Sequence, residues 1–286
     1  MGLPREKDAA PSAHRWRAPL MVLLLAVPAV ILAAGLFLRM YSERSGWQST
    51  STAIGDYRRL PLSDGSTLEL NTATEVRYRL SERVRLLDLK TGEARFRVAH
   101  DPQRPFVVFA ANTVVRAVGT EFTVRIRDSG KVDVVVAEGV VAVSHRARES
   151  AIHELLYARK VPLESGTRVP EKTMVTDDSG RFAAVEMTRA KVEAHDAWRN
   201  NLLIFDGAPL KEIVEEFNRY NRRKLEIFDP SIAGVSLGGR YRPRDVEGFL
   251  LNLSAVMKFR VVEKPSAGAT AGTLEIHPVP RSGFGY

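Results

Sequence analysis

Cysteine is absent from the 286 residues. Without a thiol the chain has no disulfide, thiolate metal ligand, cysteine nucleophile or lipoprotein anchor. Other chemical signatures are missing too. The six histidines, at 14, 100, 145, 153, 195 and 277, never pair at i, i+2 or i, i+4, and no H-E-x-x-H occurs, so the helical spacing that holds zinc is not there. Neither the G-x-S-x-G elbow nor a glycine-rich phosphate loop is present. His100-Asp101 with Ser63 as nucleophile fails as a triad, because adjacent side chains on an extended chain point to opposite faces. These absences predict a protein that is not an enzyme and holds no metal or cofactor.

Long apolar runs are confined to one place. Leu20 to Leu38, 19 residues without a charge, would span about 29 Å as a helix, close to the roughly 30 Å hydrocarbon core of a bilayer. A cleaved signal peptide would have an apolar region of about 7–15 residues and a small-x-small site after it. Leu36-Phe37-Leu38-Arg39-Met40 supplies no such site, so an uncleaved anchor is predicted over 20–38. Arg5, Lys7, Arg15 and Arg17 precede the span and only Arg39 and Arg44 follow closely. The positive-inside rule then puts a short head, 1–19, in the cytoplasm and the rest, after a linker over 39–52, on the far side. In a bacterium that is the periplasm. The net charge of +8 does not imply nucleic acid, since the basic region lies across the membrane from it.

From Ala53 to about Ser144 apolar residues alternate with polar ones. Val76, Tyr78 and Leu80 alternate with Glu75, Arg77 and Arg79, and Phe122, Val124 and Ile126 with Thr123, Arg125 and Arg127. Period two marks half-buried strands, and turn signals such as Ser63-Asp64-Gly65 and Thr91-Gly92 separate them. An all-β sandwich or roll is predicted over 53–190, with a bulge where the alternation changes phase at Leu86-Leu87. Phe106 to Phe109, apolar on both faces, reads as a central strand. Gly119 between two strands predicts a bend or close backbone approach.

Beyond 191 the period changes. Leu202–Phe205 reads as a strand. Leu210, Ile213, Val214 and Phe217 then follow the helical i, i+3, i+4, i+7 spacing, with Pro209 in the first turn. Strands at Leu225–Phe228 and Val235–Tyr241, a helix with Val246, Phe249, Leu250 and Leu253 on one face, and strands at Phe259–Val262 and Thr273–His277 complete a small α+β unit over 191–286. Its order is β-α-β-β-α-β with one further strand. Weak strands are read at Lys160–Leu163 and Arg181–Ala184. Arg219, Arg222, Arg223 and Lys224 cluster at the end of the first helix, and Arg240, Arg242 and Arg244 follow later. Arginines there favour the helix dipole, and they also suit a docking surface. Trp198 reads as a structural residue at a domain join or as part of a partner surface.

Four stretches occur in fixed order: LPLSDGSTLELN (60–71), KTGEARFRVAHDPQRPFVV (90–108), VRAVGTEFTVRI (115–126) and VDVVVAEGVVAV (132–143). Together they resemble the periplasmic domain of the FecR family of sigma-factor regulators. WRNNLLIFDGAPLKEIVEEFNRY (198–220) and GGRY (238–241) are similar to the short domain shared by secretins and TonB-dependent receptors, which also ends FecR-type proteins. The resemblance implies a single-pass inner-membrane transducer. Its periplasmic part would contact the N-terminal signalling domain of a TonB-dependent outer-membrane receptor. It would act on an extracytoplasmic-function sigma factor, commonly for iron uptake. Candidate docking residues are Trp198, Arg219, Tyr220, Arg222, Arg223, Arg240 and Tyr241. The family's sigma-binding domain has no counterpart in the residues before the span, so sigma binding is carried over to no residue here. The competing expectation is an anchored envelope protein that binds or scaffolds without sigma-factor control.

Overall fold

The period-two sequence becomes two seven-stranded sheets laid face to face in the computed structural model, which describes residues 46–145, 166–265 and 272–279. One sheet runs, in spatial order, β1 (Gln48–Ser51), β4 (Glu75–Leu80), β5 (Arg85–Thr91), β7 (Phe106–Ala110), β8 (Thr113–Ala117), β11 (Val140–His145) and β12 (Thr167–Pro170). The other runs β14 (Arg181–Glu186), β13 (Thr173–Asp178), β10 (Val132–Glu138), β9 (Glu121–Ile126), β6 (Glu93–Arg97), β3 (Thr67–Leu70) and β2 (Arg58–Pro61). Neighbours pair antiparallel except β5 and β7, which are parallel.

Alternate residues of both sheets meet in one core. Leu68, Leu70, Phe96, Phe122 and Val124 from the second sheet face Leu87, Leu89, Phe106, Val108 and Val115 from the first. Phe96 stacks on Phe122 at 5.1 Å and meets Phe106 edge-on across the sandwich at 5.9 Å. The chain passes from one sheet to the other at Gly92, whose φ is +84°. A Cβ there would lie 2.7 Å from Thr74 Cα and 2.8 Å from Ala73 O, so the corner requires glycine.

The predicted central strand is β7, the middle strand of its sheet. Gly119 makes the expected close approach: an added Cβ would sit 2.6 Å from the His100 ring. The bulge expected at Leu86-Leu87 is not there. Both residues lie in regular β5. Leu87 points into the inter-sheet core, while Leu86 joins Val84, Val107, Phe109 and Val114 in a second cluster. The alternation is lost because the strand is apolar on both faces. The register irregularity falls instead at Lys90, which is skipped between the pairs Glu75–Thr91 and Val76–Leu89.

The second part begins with α1 (Arg189–His195), capped by Thr188, and a 3-10 turn (Ala197–Asn200). There follow β15 (Leu203–Pro209), α2 (Leu210–Tyr220), β16 (Lys224–Ile227), β17 (Ser236–Tyr241), α3 (Val246–Val256), β18 (Phe259–Lys264) and β19 (Thr273–Pro278). This is the element order read from the sequence, with Pro209 at the cap of α2 rather than in its first turn. β15 pairs with β17, and β16 pairs parallel with β19, which also pairs with β18. The apolar stripes of α2 and α3 share one core: Phe217 stacks on Phe249 at 4.7 Å, and Tyr241 meets both rings edge-on at 5.8 Å. Helix α1 escapes a periodicity reading because it is two turns long and buries only Val192.

Trp47–Tyr286 forms one compact unit containing both parts. The predicted membrane span over 20–38 and the weak strand at 160–163 lie outside the described residues. Among those described, no helix is long and apolar enough to cross a membrane.

Candidate functional site

The inner strands of the second sheet have a polar face as well as a core face. On β3, β6 and β9 it carries Glu69, Glu93, Arg95, Glu121, Thr123 and Arg125. The register sets opposite charges side by side: Glu69 against Arg95, Glu93 against Arg125, and Arg97 against Glu121. Such pairs stabilise an antiparallel sheet modestly. Here the face is also covered. Helix α2 and the turn after α1 lie on it, so Glu69, Glu93, Arg95 and Thr123 are all buried.

Arg219, in the last turn of α2, joins the two parts. Its Nη2 donates to Glu93 Oε2 at 2.6 Å, and its Nη1 to Glu216 Oε1 at 2.6 Å. Glu216 also accepts from Arg125 Nη1 at 2.8 Å. Asn71 Nδ2 donates to Tyr220 Oη at 2.8 Å and to Glu93 Oε2 at 2.9 Å, and Thr72 Oγ1 donates to the Arg219 carbonyl at 2.9 Å. Around the turn, Arg95 is paired with Glu121 and Asp196, and Thr123 Oγ1 donates to Asp196 Oδ1 at 3.0 Å. Arg199 Nη2 and the Tyr57 hydroxyl both donate to Glu69 Oε1, at 3.2 and 3.0 Å. Trp198, 5% exposed, sets its ring 5.9 Å from Tyr57.

The electrostatics follow from this crowding. Burial alone would raise the Glu93 carboxyl, but Arg219, with His195 and Arg125, overcomes it and holds the group down at about 2. Glu216 is lowered in the same way, against burial, by Arg219 and Arg125. Burial opposes the Arg219 charge, yet Glu216 and Glu93 prevail and push the guanidinium further up. Tyr220 is raised by burial and then by the Glu216 charge, so its hydroxyl stays protonated.

The candidate docking residues therefore separate. Tyr220 and Tyr241 are buried and Arg219 is turned into the junction with its side chain 15% exposed, which corrects their reading as a partner surface, while Trp198 is buried as in the structural reading given for it. Arg219 and Tyr220 close the junction, Trp198 packs at it, and Tyr241 fills the core of the α/β part. The sequence displays their charge and aromatic character but not the sheet face that covers them. Arg222 and Arg240 are exposed, and Arg223 is half-buried with Nη2 3.0 Å from Glu263. The junction's other half, Asn71, Glu93 and Arg95, was not singled out by sequence reasoning. The available signal was that nearly every polar position on β6 and β9 carries a full charge.

Beside the junction lies a cleft of about 300 Å³ between α1, β15 and α2, with Met187, Trp198, Leu203 and Phe205 among its walls and Lys191 and Glu215 also lining it. The ion pairs and hydrogen bonds of the junction hold the module in one orientation on the sheet. Among the described residues no group of three or more His, Asp or Glu could hold a metal. Asp101 is committed to its own loop, accepting from Arg104 Nε at 2.7 Å and from the Gln103 and Arg104 amides.

The chain is thus a β-sandwich that carries a small α/β module on an ion-paired outer sheet face. Residues 48–142, strands β1 to β11, match the family model described as FecR protein, and the chain carries a FecR domain there. Two crystal structures of a proposed anti-sigma factor from Parabacteroides distasonis ATCC 8503, at 1.65 and 2.50 Å resolution, share the fold. Each has a TM-score of 0.62 at 20% identity, covering 82% of this chain and 100% of that chain. That share is too large for the sandwich alone and takes in the α/β module. No curated protein matches the chain.

Proposed function

We propose that this chain is a FecR-type transducer of the bacterial inner membrane, crossing once at 20–38 with its N-terminus in the cytoplasm and its two folded parts in the periplasm. It binds and relays; it is not an enzyme. The α/β module receives the N-terminal signalling domain of a TonB-dependent outer-membrane receptor. The outcome is altered activity of an extracytoplasmic-function sigma factor, with iron uptake as the regulated process. The observation that supports this most is the FecR domain joined to the module through the Glu93–Arg219–Glu216 cluster, in which Glu93 is buried. A rigid, oriented junction passes a contact made on the module to the strands of the sandwich. Arg222 and Arg240 are exposed beside the sandwich, and the exposed outer strand β18 is available to a partner, since an unpaired strand edge accepts an added strand.

The test is in-cell crosslinking of the tagged full-length protein, followed by mass spectrometry. Capture of a receptor signalling domain together with a sigma factor or its regulator is the expected result. Recovery of envelope scaffold proteins or cell-wall fragments alone would refute the reading in favour of an anchored binding protein.

A further inference from the structure

The two sheets of the sandwich have four edges, and three of them are guarded. β1 is four residues of Gln, Ser and Thr; β2 carries Arg58, Arg59 and Pro61; β12 is four residues long, with Arg168 and a terminal Pro170. Short, charged or proline-bearing edges resist pairing with another chain. The fourth, β14, has neither shortness nor proline, and its charges stand only at its two ends. It is six residues long, all exposed, and reads Phe-Ala-Ala-Val between Arg181 and Glu186, with Phe182 38% and Val185 55% exposed.

The backbone of this edge is set by its hairpin. Ser179 and Gly180 form a two-residue turn with φ of +54° and +91°, the handedness that suits a tight hairpin. The Met187 amide donates to the Lys172 carbonyl. In the register that pairs Arg181 with Asp178 and Val185 with Met174, the odd-numbered residues of β14 therefore bond inward to β13. Phe182, Ala184 and Glu186 point their N–H and C=O groups outward.

We propose that β14 is a self-pairing edge whose occupant is β14 of a second copy of this chain, antiparallel about a two-fold axis at Ala184. The outward residues 182, 184 and 186 are symmetric about 184, so in this register every outward group meets an outward group. Ala184 then faces Ala184 of the second copy, Ala183 faces Val185, and Phe182 faces Glu186. Arg181 falls opposite Met187, so no like charges are set against each other, and the small residues sit at the axis. The second sheet becomes continuous across the pair. This interface lies on the sandwich and is independent of the receptor-binding reading of the module.

The chain's lack of cysteine makes the test direct. In the full-length protein in membranes, Ala184→Cys places two thiols on a hydrogen-bonded pair about 5.5 Å apart between Cα atoms, within disulfide reach. Oxidation is expected to double the apparent mass of 31.8 kDa, several-fold more than for Ser49→Cys on the guarded β1 edge. A mixture of Ala183→Cys and Val185→Cys chains should crosslink better than either alone, which fixes the register. Ala184→Pro in both of those chains removes an outward N–H without touching the β13 ladder, and should abolish that crosslink while the thermal melt persists. Ala184→Cys crosslinking no better than Ser49→Cys, or trapping a protein of another mass, overturns the proposal.

Discussion

Removing Arg219 should do more damage than removing both members of its pair with Glu93. Arg219→Met leaves the Glu93 carboxylate, 1% exposed, beside Asn71 but without its guanidinium. Breaking one side of a buried ion pair costs about 3–5 kcal/mol. The titration of Glu93 gives an independent figure. A carboxyl held at about 2 against its ordinary 4.5 contributes about 3 kcal/mol above pH 4.5. Because the folded value is the lower one, that stabilisation is complete above pH 4.5, fades as pH falls, and is gone below about 2. Adding Glu93→Gln to Arg219→Met removes the orphaned charge and should recover most of the loss at pH 7, since Glu216 keeps Arg125. Urea unfolding of the Trp47–Tyr286 unit at pH 7 and again near pH 3 measures both effects. In the double variant the acid-dependent loss should shrink. A cost for Arg219→Met below about 1 kcal/mol, typical of an exposed pair, would refute the reasoning, as would a double variant no better than the single one.

Phe217→Ala should cost about 3–5 kcal/mol, because it empties the stack on Phe249 and the edge contact with Tyr241; thermal unfolding of the same unit reads this out. Gly92→Ala forces a side chain into a +84° φ and against Thr74 and Ala73, and should destabilise by more than the roughly 1 kcal/mol of left-handed strain alone, measured by urea midpoint. Tyr220→Phe keeps the ring but removes the oxygen that Asn71 Nδ2 donates to. With Glu93 still accepting from the same amide, the loss should be about 1 kcal/mol in a denaturant titration.

Most of the architecture is legible in the residues themselves. Period two gives the sandwich strands, i, i+3, i+4, i+7 gives α2 and α3, and Pro209 marks the start of α2. What the sequence hides is what lies on the second face of an element. Leu86 looks like a break in the alternation only because β5 is buried on both sides. Arg219 and Tyr220 look like a surface cluster because one helix turn cannot say that it rests on Glu93, 126 positions earlier in the chain. Strands β12 and β13 were missed because Thr167–Pro170 and Thr173–Asp178 are short and mostly polar. Their pairing is decided by β10 and β11 rather than by their own composition.

The polar character of the junction follows from what it has to hold. An apolar interface would gain more from burial, since replacing buried ion pairs with hydrophobic residues is often neutral or stabilising. Here five carboxylates, Glu69, Glu93, Glu121, Asp196 and Glu216, interlock with four guanidiniums, Arg95, Arg125, Arg199 and Arg219. Charge-assisted hydrogen bonds of this kind weaken steeply when geometry changes, so they fix one angle between module and sheet rather than adding adhesion. Sliding α2 by one turn would move Arg219 about 5.4 Å and take its guanidinium away from the buried Glu93. The strands that carry Glu69, Glu93 and Arg125 on this face carry Leu68, Ala94 and Val124 on the other, inside the sandwich core. A change of pose at the module therefore has no soft layer to dissipate in, and must be either refused or passed to the core.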